Sequence, residues 1–181
     1  CSGIEYWEPF SSFHSSAAQK KAMQKKLINT TYKVETIEKE APDYVLQNVN
    51  VSIFPDIDLL MNNIVEVTGH IRKKLEAANT YDIDRKVLNF VPATDGKYYY
   101  FDGEKYWRVM VFIPDTISKT GVSLESSYIV GKTFANFQAM LADIPVQLGE
   151  TIPDFHNMEL RSRQLKEAAE KYRKAKSHPR Q

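Results

Sequence analysis

The first sustained pattern along the chain is an alternation. Ile28-Asn-Thr-Thr-Tyr-Lys-Val-Glu-Thr-Ile37 sets β-branched and aromatic residues against polar ones at every second position, as a half-buried strand does. Residues 38–43, with Pro42 near their end, read as a turn. Tyr44-Val-Leu-Gln-Asn-Val49 reads as a second strand, which makes an antiparallel hairpin. The period then changes. Pro55 and Asp56 open a helix reaching about Ala78, and Leu60, Ile64, Val67, Ile71 and Leu75 fall on one face of it. Arg72, Lys73 and Lys74 sit near its end, where cations favour the helix dipole.

Strands return at Lys86–Val91, Lys97–Phe101 and Tyr106–Ile113, the last two joined by an Asp102-Gly103-Glu104 turn. A second helix is expected from Leu124 to Ala142, capped by Ser123. Val130, Phe134, Phe137 and Leu141 form its expected buried stripe, and Asp143-Ile-Pro145 ends it. A last helix, Met158–Lys174, is heavily charged. Its thin apolar face (Leu165, Ala168, Ala169, Tyr172) predicts a partner outside the chain. Residues 1–24 show no sustained period and read as a loose arm that turns helical near Ala17–Gln24. Strands followed by helices define an α+β class, and no internal repeat breaks that order.

Composition narrows the partners more than the fold. A formal charge of +1 demands neither nucleic acid nor an acidic membrane. No apolar run approaches the ~18–20 residues that span a bilayer. The single cysteine, Cys1, allows no intrachain disulfide, which fits a reducing, cytoplasmic setting. A leading Cys-Ser-Gly is also the start of a processed lipoprotein, although the plainer reading is a fragment lacking its initiating Met.

A self-contained catalytic set is missing from the sequence. His14, His70, His156 and His178 lack metal-ligand spacing, and His70 falls on the polar side of the long helix as a surface residue. There is no Gly-x-Ser-x-Gly elbow, Walker loop, cysteine pair or zinc motif. The pairs Asp56/Asp58 and Asp82/Asp84 read as capping and solvated groups, and the basic stretch Arg161–Arg180 as a solvated helix face.

Several segments, taken together and in order, carry a resemblance. They are Ile28-Asn-Thr-Thr-Tyr32, Tyr44-Val-Leu-Gln-Asn-Val-Asn50, Ser52-Ile-Phe-Pro-Asp56, Leu60-Met-Asn-Asn-Ile64, Val91-Pro-Ala-Thr94, Tyr106-Trp-Arg-Val109 and Glu150-Thr-Ile-Pro-Asp-Phe-His156. Over roughly residues 27–170 the chain resembles the N-acetylhexosamine 1-kinases, of the aminoglycoside-phosphotransferase-like branch of the protein-kinase fold. The resemblance implies a two-lobed enzyme that transfers the γ-phosphoryl of ATP, with Mg²⁺, to the anomeric hydroxyl of an N-acetylhexosamine. It implies an irregular arm at 1–24, a nucleotide-binding lobe at 25–114, and a helical linker with the start of a second lobe at 115–181.

In that plan the first hairpin covers the phosphates, and Asn29 and Thr30 face phosphate or sugar. Gln47 takes the third-strand place where protein kinases carry lysine. It can hydrogen-bond phosphate but cannot neutralise it. Val111, Phe112 and Ile113 form the hinge that holds adenine, and His156 packs rather than catalyses. Two departures stand out. Gln24-Lys25-Lys26-Leu27 occupies the place of a glycine-bearing turn. The sequence also lacks the family's His-x-Asp loop with its following Asn, and the later metal-binding Asp. The chain by itself is therefore expected to be inactive. The alternative reading is a degenerate, non-catalytic kinase-like binding module.

Overall fold

In the computed structural model residues 20–22, 28–38, 40–117 and 121–177 are described; Cys1, His14, Lys25, Lys26 and His178 lie outside them. The strands are β1 (Lys20–Ala22), β2 (Thr30–Val34), β3 (Tyr44–Val49), β4 (Phe90–Val91), β5 (Tyr100–Phe101) and β6 (Tyr106–Val111). The helices are α1 (Ile57–Ala77), α2 (Leu124–Leu141) and α3 (Met158–Ser177). The class is α+β. All strand pairs are antiparallel, in the order β1-β2-β3-β6-β4, with β5 paired to the start of β6. The chain divides into two compact units, Cys1–Gly149 and Glu150–Gln181.

Register sorts the side chains of the first unit onto two faces. Thr31, Gln47 and Arg108 lie opposite one another across β2, β3 and β6, and so do Tyr32, Leu46 and Val109. Because successive side chains alternate, these two rows face opposite ways. On one face Val49, Met110 and Phe90 pack against Ile57, Leu60 and Met61 of α1, with Tyr99 beside them. On the other, Val34, Leu46, Val91, Ala93 and Val109 form a second cluster, rimmed by Tyr32, Tyr44, Tyr100 and Trp107. Fully burying such a side chain contributes roughly 1.5–3 kcal/mol, so β3 and β6, buried on both faces, anchor the unit.

Local chemistry sets the helix ends. The Asp56 carboxylate accepts from the Leu59 amide at 2.9 Å, capping α1. At the other end Asn79 takes a left-handed conformation (φ 49°). The Asn79 and Thr80 amides bond back to Glu76 and Leu75, a closing pattern that releases the chain sharply. The buried stripe of α1 adds Ile57 and Met61 to the predicted Leu60 and Ile71, while Leu75 is only half-buried. In α2, Ser123 and Ser126 cap each other reciprocally.

Four expectations are corrected. Lys20–Ala22 is a strand, not the start of a helix: so short a helix has little intrinsic stability, whereas the open edge of β2 offers a ladder of partners. The strand expected at 28–37 is thus the second, shortened to Thr30–Val34, and the sheet reaches back into the expected arm. The strand expected at Lys86–Val91 shrinks to Phe90–Val91, because the Lys86 and Val87 amides bond to Ile83 and wind the preceding residues into a 3₁₀ turn. The strand expected at Lys97–Phe101 shrinks to Tyr100–Phe101, because Ala93 and Lys97 close a tight turn through Gly96 at φ 83°.

The fourth correction concerns α2. Val130, Phe134 and Phe137 are exposed (54%, 61% and 41%) rather than buried. The helix reaches α1 through its C-terminal end, where His70 Nε2 and Lys74 Nζ meet the Met140 carbonyl and Asp143. His70, expected at the surface, is accordingly half-buried in this contact. In the second unit, the Asn157 side chain caps α3 by accepting from Leu160, and Leu165 and Tyr172 are exposed.

Candidate functional site

Beneath α1 the alternation of β3 is interrupted. Between Val45 and Val49, both packed on the helix side, stands Gln47. Its neighbours in register are Thr31 and Arg108, so three polar side chains cross the sheet in one row. The Gln47 amide nitrogen donates to Thr31 Oγ1 at 2.9 Å. Its carbonyl oxygen accepts twice from Arg108, from Nε at 2.9 Å and from Nη2 at 2.6 Å. Arg108 Nη1 also lies 3.6 Å from Met61 Sδ, and the guanidinium stands 5.5 Å from the centre of the Phe90 ring. Arg108 is held by a neutral amide, a sulfur and an aromatic face.

No acidic side chain pairs with Arg108 among the described residues. Burial pushes its pKa down to about 10, since removal from water penalises the charged form. The group is still a cation at neutral pH. A guanidinium carries five N–H donors in a planar fork suited to carboxylate or phosphate. The arrangement is chemically an oriented, half-buried cation with no acidic partner among the described residues.

The other predicted residues fall elsewhere. Asn29 is structural: its side-chain oxygen accepts from the Asn50 amide at 2.9 Å, stapling the start of β2 to the end of β3. Thr30 lies on the opposite face from Gln47, lining a groove of about 460 Å³ with Tyr32, Asn48, Lys105 and Trp107. Val111, Phe112 and Ile113 line a wider groove of about 820 Å³ with Tyr44, Asn89 and Arg85. The Val111 amide bonds to the Asn89 carbonyl at 2.9 Å and the Phe112 amide to the Asp43 carbonyl at 2.8 Å. These two amides serve the fold, so the segment offers a ligand mainly apolar surface. Lys33 Nζ sits 4.7 Å from the Phe112 ring centre and pairs with Asp43 at 2.8 Å. The hydrogen bond to Lys33 holds Asp43 below its ordinary value. Val111, Phe112 and Ile113 thus share one groove while Asn29, Thr30 and Gln47 lie elsewhere, and Gln47 is the one hydrogen-bonded to a charged side chain.

Arg108 was not among the residues predicted from sequence. A signal existed: Tyr106, Arg108 and Met110 share one face of a strand expected to pack under a helix. A charge at the middle of that face needs an explanation. His156 is exposed, and its ring meets that of its chain neighbour Phe155 edge-on, centroids 4.6 Å apart. Asp84 pairs with Arg72 at 2.8 Å and Asp82 with Arg85 at 3.6 Å, so neither belongs to a carboxylate pair. Among the described residues no group of three or more His, Cys, Asp or Glu side chains gathers, and no helix is long and apolar enough to cross a membrane. No family model matches the chain.

Proposed function

We propose that the sheet-bearing unit is the nucleotide-binding lobe of a kinase-like sugar phosphotransferase, acting with ATP and Mg²⁺ on an N-acetylhexosamine. One observation carries the reading: Gln47, at the third-strand place that the resemblance assigns to a phosphate contact, faces the long helix and is bonded to a cation. Protein kinases put a third-strand lysine and a helix between third and later strands to the same use. Three antiparallel strands, then α1, then the returning β4–β6 follow that element order.

In this reading adenine packs on the apolar surface of Val111, Phe112 and Ile113. The amides of Val111 and Phe112 are engaged, so recognition there is by shape more than by hydrogen bonds. The phosphates lie toward Gln47. Mg²⁺ would offset their charge, and its ligands would come from the family's later Asp, a motif this sequence does not contain. The exposed stripe of α2 would be covered by the helical lobe that the resemblance implies.

Isothermal titration with ATP–Mg²⁺ tests the reading. Saturable binding tighter than about 1 mM, or about 4 kcal/mol, is expected. Weaker binding would leave the alternative, a non-catalytic module, in its place. A coupled assay with N-acetylglucosamine should show no turnover by this chain, because its sequence contains no His-x-Asp loop.

A further inference from the structure

Arg108 is more than a core residue with a stray charge. A guanidinium taken out of water costs free energy unless ion pairing and hydrogen bonds return it. Here the return is partial. Gln47 accepts two of its bonds, Met61 a weak third, and Phe90 offers a ring face. No carboxylate completes the set among the described residues.

Gln47, in turn, is oriented by two contacts at once. Its oxygen is fixed on Arg108 and its nitrogen on Thr31. This locks both rotamer and amide direction, so the guanidinium is held in one pose before any ligand arrives. Thr31, Gln47 and Arg108 are all half-buried, and Lys33, farther along the same face of β2, is already paired with Asp43 and Glu35. The row Thr31–Gln47–Arg108 itself thus holds one half-buried guanidinium and no acidic group.

We propose that Arg108 is the phosphate-binding cation of this lobe, positioned by Gln47 and Thr31, and that it supplies from β6 the charge that kinases supply from the third strand. The proposal rests on the kinase-like reading for the ligand's identity as a nucleoside polyphosphate. The geometry alone points to a multiply charged anion. Charge and fork remain on the face beneath α1, displaced by one strand, and Gln47 becomes the positioning residue where a lysine would have been the ligand.

The test is titration of the whole chain with inorganic tripolyphosphate, ATP–Mg²⁺ and adenosine. Arg108→Gln should weaken both polyphosphates by about tenfold or more, the worth of one charge-assisted contact, and leave adenosine unchanged. The double variant Gln47→Lys with Arg108→Gln returns a cation to the third strand, and should recover most of the lost affinity. Tripolyphosphate binding that is absent from the wild type, or equal in wild type and Arg108→Gln, overturns the proposal.

The two readings fail separately. If ATP binds the wild type and Arg108→Gln equally well, the lobe stands and Arg108 is structural. If tripolyphosphate binds through Arg108 but ATP binds no better than tripolyphosphate, the anion site stands and the nucleotide reading falls. Should Arg108→Gln melt before it can be titrated, the wild-type Arg108 Nε–H resonance decides. It should move on tripolyphosphate addition, and a resonance that stays fixed at saturating tripolyphosphate overturns the proposal.

Discussion

Side chains that tie backbone to backbone explain several motif residues without reference to chemistry. Asn63 is the clearest case. Its amide nitrogen donates to the Gly149 carbonyl at 2.7 Å, and its oxygen accepts from the Gly149 amide at 3.1 Å. A Cβ at Gly149 would meet the end of the Leu59 side chain, which would have to turn aside. Asn63→Ala removes both bonds at an exposed site and should cost about 1 kcal/mol, read from the urea midpoint at constant slope. Asn63→Asp, which keeps the acceptor and loses the donor, should cost less. An unchanged midpoint in Asn63→Ala would show that the clamp contributes nothing. Asp102 works similarly inside one turn: its carboxylate accepts from the Glu104 and Lys105 amides and from Trp107 Nε1, while Gly103 takes φ 99°. That Asp-Gly turn was legible in the sequence because its chemistry is local. Arg108 was not, because only the register of β6 against β3 and α1 shows what lies opposite it.

Elements were legible to the degree that their signals are short-ranged. The bounds of β3 and the start of α1 follow from alternation and from the Asp56 cap. The exposure of α2 did not follow. A stripe of Val130, Phe134 and Phe137 tells that a helix has an apolar partner, not where in space that partner sits. What joins α2 to α1 is polar, and this makes the contact sensitive to acid. Hydrogen bonds from Lys74, and then from His70, hold the Asp143 carboxyl below its ordinary value of 3.8. A carboxylate with a lowered folded-state value contributes stability that is present above its ordinary value and lost as pH falls through the lowered one. The protection of amides in the last turn of α2, taken relative to their intrinsic exchange rate at each pH, should therefore be flat down to about pH 4 and fall below it. In Asp143→Asn the acid step should disappear and protection should be lower at neutral pH. An acid step of the same size in Asp143→Asn would assign it to Asp43 or Asp102, whose carboxyls are also held low.

At the scale of the whole molecule, the first unit is a two-faced sheet with one face under α1 and a polar row crossing it. Its apolar clusters account for the fold, and the row Thr31–Gln47–Arg108 is what they leave unexplained. A purely structural sheet would gain by replacing the three with apolar side chains of similar volume, and it is this row that the proposed ligand would engage. The most direct measurement is the amide and side-chain NMR spectrum of the chain during titration with ATP–Mg²⁺. A nucleotide lobe predicts saturable shifts at Gln47, Thr31 and the Arg108 Nε–H, with a second group at Val111–Ile113. Shifts confined to the exposed stripe of α2 or to α3, or none at several millimolar nucleotide, would contradict it.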